Sequence, residues 1–127
     1  MKHAVIILAL LLSACGAKDI ATLKAKPAIH RTVEAQGDYL EVYERIQAKL
    51  LECGPAGPAS PMFTNSTGRN IEVPIGNNDG LAFYYSIQDN GNGTSAVEIY
   101  SQFKAIDCWV RFFNLVERGA LGQPGCP

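Results

Sequence analysis

Between Asp38 and Cys53, apolar residues recur at steps of three and four. Tyr39, Val42, Tyr43, Ile46, Leu50 and Cys53 fall within an arc of about 100° on a 3.6-residue helix, and Glu41, Glu44, Arg45, Gln47 and Glu52 fill the remainder. Asp38 can cap this helix, Glu41 suits the positive end of its dipole, and Gly54-Pro55 stops it. Glu41 and Arg45, four apart, form a favourable exposed pair. A second helix is predicted over 105–118, with Gly119 ending it. Its apolar positions, among them Cys108, Trp109, Phe112, Phe113, Leu115 and Val116, cover about 220°. So wide an arc predicts packing against both a sheet and the first helix. The alternative is that its Phe112/Leu115 part meets a partner protein.

From Met62 the period changes to two. Met62–Asn65 suggests a short strand. Ile71, Val73 and Ile75 alternate with Asn70, Glu72 and Pro74; Pro74 cannot donate to a ladder, so this strand is expected to lie at an edge or to end there. After Gly76-Asn77-Asn78-Asp79-Gly80, a turn sequence, Leu81, Phe83, Tyr85 and Ile87 alternate with Ala82, Tyr84 and Ser86. Asp89-Asn90-Gly91-Asn92-Gly93 then joins this strand to a second in which Val97 and Ile99 alternate with Glu98 and Tyr100, making a hairpin. Upstream, Ile29–Ala35 is a further short strand. The elements predict an α+β domain: an antiparallel meander of three to five strands, one face buried, with two helices packed on it. Tyr84 and Tyr100 are expected on the opposite sheet face, as a cross-strand pair or a docking patch.

The N-terminus follows neither period. Met1-Lys2-His3 is a short basic head, Ala4–Leu12 is unbroken apolar sequence, and small residues precede Cys15. That is the form of a secretory signal, and the run is shorter than the roughly 20 apolar residues a membrane span needs. Leu12-Ser13-Ala14-Cys15 resembles the bacterial lipobox. The resemblance implies removal of residues 1–14, diacylglyceryl attachment to the Cys15 sulfur and acylation of the new amine. Two or three acyl chains make a durable anchor, since each buried CH₂ contributes roughly 0.8 kcal/mol. Gly16 follows the cysteine where an Asp would imply inner-membrane retention in enterobacterial lipoproteins, so the outer membrane is expected. Residues 15–28 are expected to be a tether: thirteen residues beyond Cys15 span about 45 Å when extended. Residues 29–127 then form one domain.

The signal removed, 113 of the 127 residues remain, with twelve acidic and ten basic side chains. This suffices for one modest core and offers no basic stripe for nucleic acid. Cys53, Cys108 and Cys126 remain in a chain expected to be exported, where disulfides persist. Cys53 and Cys126 both sit at element ends in Gly/Pro-rich sequence, which favours their pairing; Cys53 with Cys108 is the alternative, because antiparallel helices would bring those two to one end.

Few residues suggest chemistry. His30 is the one histidine after the signal, and no motif couples it to a cysteine. Three scattered cysteines and one histidine lack the paired spacing of a structural zinc site, and 76–80 is too short for a calcium loop. No cofactor or metal is expected. In outline the chain resembles the small uncharacterised bacterial lipoproteins. The shared features are the lipobox, a helix ending in Cys53, a Gly-punctuated meander, a Trp-containing last helix and the terminal Cys126. That resemblance implies no known activity. The expectation is a non-enzymatic envelope protein, lipid-anchored through Cys15, that binds a protein or cell-wall partner. A ligand-binding or inhibitor lipoprotein using the Tyr84/Tyr100 face is the alternative, and a thiol enzyme using Cys108 a remote one.

Overall fold

A computed structural model describes residues 19–53, 65–77, 80–102 and 107–126. In chain order its elements are α1 (Ile20–Ala25), β1 (Ile29–Gln36), α2 (Tyr39–Cys53), β2 (Asn65–Thr67), β3 (Asn70–Asn77), β4 (Gly80–Asp89), β5 (Thr94–Ser101) and α3 (Asp107–Ala120). The strands form a single antiparallel sheet in the order β1-β5-β4-β3-β2. The fold is the α+β arrangement that the periodicity predicts. The expected loop at 54–61 and the expected strand residues 62–64 lie outside the described residues.

Alternation along the strands sends Val33, Ala35, Ile71, Val73, Ile75, Phe83, Tyr85, Ile87, Val97 and Ile99 to one face. On that face lie Val42 and Ile46 of α2 and Phe112, Phe113, Val116 and Ala120 of α3, with Tyr39, Tyr43 and Leu50 at the margin. The stripe read from the α2 sequence is therefore the stripe it buries. Asp38 caps α2 as expected, its carboxylate accepting from Glu41 N at 2.9 Å. Arg45 is not simply an exposed partner of Glu41. Its guanidinium donates to the Gln36 and Ala120 carbonyls, joining the end of β1 to the end of α3.

Pro74 lies inside β3, which continues to Asn77. Among the described residues β2 pairs with β3 only as far as Asn65 with Glu72, and the missing N–H of Pro74 falls on the side away from β4, so it breaks no described ladder bond. Gly76 follows at a register shift. A Cβ there would stand 2.9 Å from Leu81 Cα, so the close return of the chain into β4 requires glycine.

Gly119 does not end α3, as its sequence position suggested. The helix runs through Ala120, and Gly119 is buried where a Cβ would lie 2.8 Å from Ile46 Cα; its role is close approach of α2 and α3. The stop is Gly122, with φ of +67°. Gly122 N donates to Gly119 O and Gln123 N to Arg118 O, the two bonds of a Schellman cap. The tail then turns back across α2 to Cys126.

The largest departure is at the N-terminus. Residues 19–25, expected within an extended tether, belong to the folded domain. Asp19 accepts from Thr22 N at 2.8 Å and caps α1. Leu23, 1% exposed, packs on Tyr84 and Tyr100, with Ile20 and Leu81 beside it. The helix is held by that packing, because six residues are too few to be helical alone. It covers part of the sheet face opposite the two long helices.

Candidate functional site

Two regions outside the main core concentrate polar and aromatic groups. One is the outer sheet face beneath α1. The other is the disulfide corner where the C-terminal tail meets α2.

On the outer face, strand pairing lines up His30, Tyr100, Tyr84 and Pro74 across β1, β5, β4 and β3. His30 is exposed on β1 and stacks on Tyr100, with ring centroids 4.1 Å apart and planes 6° apart. Tyr84 and Tyr100 are 5.8 Å apart. The Lys24 ammonium of α1 lies 5.1 Å from the Tyr84 ring centre and 5.9 Å from that of Tyr100, within cation–π range of both. The next row is Thr32, Glu98, Ser86 and Glu72. Tyr100 Oη donates to Glu98 Oε2 at 3.2 Å. The buried Tyr84 hydroxyl faces Glu72 and Ser86 without a well-formed hydrogen bond.

These surroundings shift the tyrosines. Burial, followed by the charge of Glu72, pushes the Tyr84 hydroxyl above the ordinary tyrosine range. Burial, followed by Glu98, does the same to Tyr100. On the inner face, burial raises Tyr85, although Gln47 Nε2 donates to its Oη at 2.8 Å and partly opposes the shift. Unfolded tyrosines ionise near pH 10. Above that pH the unfolded chain releases protons the folded chain keeps, so stability falls as pH rises. An alkaline titration is expected to show a late phase of tyrosinate absorbance that coincides with loss of the folded circular-dichroism signal. Complete ionisation near pH 10 with the fold intact would contradict these placements.

Tyr84 and Tyr100 do share the outer face and pair across strands, as the alternation predicts. They are not open to a partner: Tyr84 is fully buried and Tyr100 is 7% exposed, under Leu23. Phe112 and Leu115 are also buried. Phe112 meets Phe83 edge-to-face with centroids 4.7 Å apart. None of the four is an accessible docking residue in this conformation. Sequence reasoning missed α1 as their cover because its signal is only Asp19 followed by Ile20 and Leu23.

At the disulfide corner, Cys53 and Cys126 are bonded, with Cα atoms 5.4 Å apart. This is the favoured pairing. Lys49, predicted at no functional position, is buried here; its Nζ donates to Gly125 O at 3.1 Å and pairs with Glu52 at 3.2 Å. Among the described residues, Glu52, Cys53 and Cys126 are the one group of metal-capable side chains within 4.8 Å of each other. Both sulfurs are committed to the disulfide, which leaves one carboxylate and no thiolate to hold an ion.

Cys15, the expected lipidation site, lies outside the described residues. Cys108 lies within α3, and its side chain is also outside the description. No helix among the described residues is long and apolar enough to cross a membrane. No protein family and no curated protein matches the sequence.

Proposed function

We propose that this chain is a lipid-anchored envelope protein, held by acylated Cys15, more favourably at the outer than the inner membrane. Its small domain binds a protein or cell-wall partner at the membrane surface and carries out no chemistry. The sequence support is the lipobox-like Leu12-Ser13-Ala14-Cys15 behind a basic head and an apolar run. The structural observation that carries the reading is the Cys53–Cys126 bond. Structural disulfides persist in oxidising compartments and are rare in the cytosol.

The fold sharpens the geometry of that proposal. Asp19 already belongs to the domain, so only residues 16–18 separate the anchor from its first cap. Four residue steps span at most about 14 Å. The domain therefore sits against the membrane instead of standing some 45 Å away, and its α1 side is the nearest part. Partners are then components of the membrane surface itself.

Replacing the sulfur tests the anchor. In cell fractionation, the wild-type chain is expected in membranes, and Cys15→Ser is expected to lose its acyl chains and either remain uncleaved or leave the lipid-anchored fraction. Equal partition of both chains, with no mass difference beyond the substitution, would remove the basis of the proposal.

A further inference from the structure

Among the described residues the sheet has two edges of unequal length. β2 spans three residues there and offers little to another strand. β1 is eight residues long and pairs with β5 in unbroken register, with no proline or bulge. An exposed edge of this kind presents ready partners for another strand.

The ladder identifies those partners. Gly37 N donates to Gly93 O at 2.8 Å, which continues the β1–β5 register by one pair. Hydrogen-bonded pairs alternate in an antiparallel ladder. Arg31, Val33 and Ala35 therefore bond to β5, and the backbone groups of His30, Thr32 and Glu34 point away from the sheet. Arg45 takes the Gln36 carbonyl and closes that end.

We propose that this edge pairs with β1 of a second copy of the chain, antiparallel, about a two-fold axis at Thr32. The sequence is self-complementary about that point. Thr32 meets Thr32 of the second copy, and His30 of each copy meets Glu34 of the other. Threonine pairs are favourable cross-strand neighbours, and the His30 imidazole can donate a hydrogen bond to the Glu34 carboxylate. The same register matches every open backbone group, giving about six new hydrogen bonds. Centring the axis on Arg31 or Val33 would bond the same outward groups but set Thr32 opposite His30 or Glu34, losing the Thr32–Thr32 and His30–Glu34 pairs. The other nearby charges do not oppose it: Arg31 is paired with Glu117 and lies over the Phe113 ring.

The axis is normal to the sheet, so both outer faces, both α1 helices and both chain ends leading to Cys15 lie on one side. Under the anchor proposed above, both sets of acyl chains enter one membrane, where confinement raises the effective concentration. That advantage rests on the anchor; the pairing does not.

Symmetric cross-linking tests the pairing. Opposed residues of a hydrogen-bonded pair have Cα atoms about 5.5 Å apart, within disulfide range. The full chain carrying Thr32→Cys, oxidised after extraction, is expected to run mostly as a covalent dimer on a non-reducing gel. Gln88→Cys, exposed on the same face, would lie roughly 24 Å from its copy across five strand spacings and is expected to stay at the wild-type level, which sets the background from native cysteines. Adding Glu34→Pro to Thr32→Cys removes an outward N–H without touching the β5 ladder and is expected to abolish the dimer. Native mass spectrometry of the wild-type chain in mild detergent is expected to give twice the chain mass. A monomeric mass, equal cross-linking at positions 32 and 88, or capture by Thr32→Cys of a different protein would each overturn the proposal.

Discussion

Removing both ends of the disulfide, with Cys53→Ser and Cys126→Ser together, is expected to lower unfolding stability by about 4 kcal/mol, because the bond closes a long loop of the unfolded chain. The sequence separation is 73 residues, and the closed segment contains β2 to β5 and α3. The native surroundings add to the loss. Cys53 is buried at the end of α2, and the tail it holds supplies the Gly125 carbonyl to buried Lys49. Releasing the tail leaves that ammonium with Glu52 and water. Urea unfolding of the wild type, the double variant and the reduced wild type checks this, with the last two expected to agree. A loss below about 1 kcal/mol would mean that the bond only decorates an already rigid corner.

Phe112→Ala is expected to cost about 3–5 kcal/mol, the range for deleting a buried aromatic ring. Phe112 is 3% exposed, and Phe83, which it meets edge-to-face, is fully buried and also 5.9 Å from Phe113. The cavity would open within the helix–sheet contact, beside the Phe83 ring. A docking residue behaves differently: its truncation leaves stability near the wild-type value and weakens binding alone. Thermal and urea unfolding of the variant therefore decide between core and partner surface. An unchanged midpoint would restore the partner-surface reading of this helix.

The elements most legible in the sequence are those whose pattern repeats several times. α2 has six apolar positions in phase; Tyr39, Val42, Tyr43, Ile46 and Leu50 form the buried and marginal stripe, and Cys53 is buried at its end. The β4–β5 hairpin shows the same clarity. Its Gly91 and Gly93 adopt φ of +80° and +83°, and the Asp89 and Asn92 side chains accept from the loop backbone. The Cys53–Cys126 pairing follows from element ends brought together.

Other features depend on tertiary neighbours. α1 has less than two turns and no periodic repeat; it exists because Leu23 finds the outer-face tyrosines. Those tyrosines were placed on the correct face by alternation alone, but nothing local to β4 or β5 announces the helix that covers them. Gly119 and Gly122 lie three residues apart and differ in role only because α2 passes beside the first. Lys49 falls outside any apolar pattern, and its burial is produced by a tail 76 residues away. Phe112 and Leu115, read as a candidate surface, are buried instead, and Phe112 packs edge-to-face on Phe83 of β4.

The most direct test of the proposed anchor is the intact mass of the protein isolated from membranes. The expected mass corresponds to a chain beginning at Cys15, increased by a diacylglyceryl group and one further acyl chain, with Cys53 and Cys126 protected from alkylation until reduction. A chain that retains residues 1–14, or one cleaved elsewhere and free of lipid, would contradict the proposal.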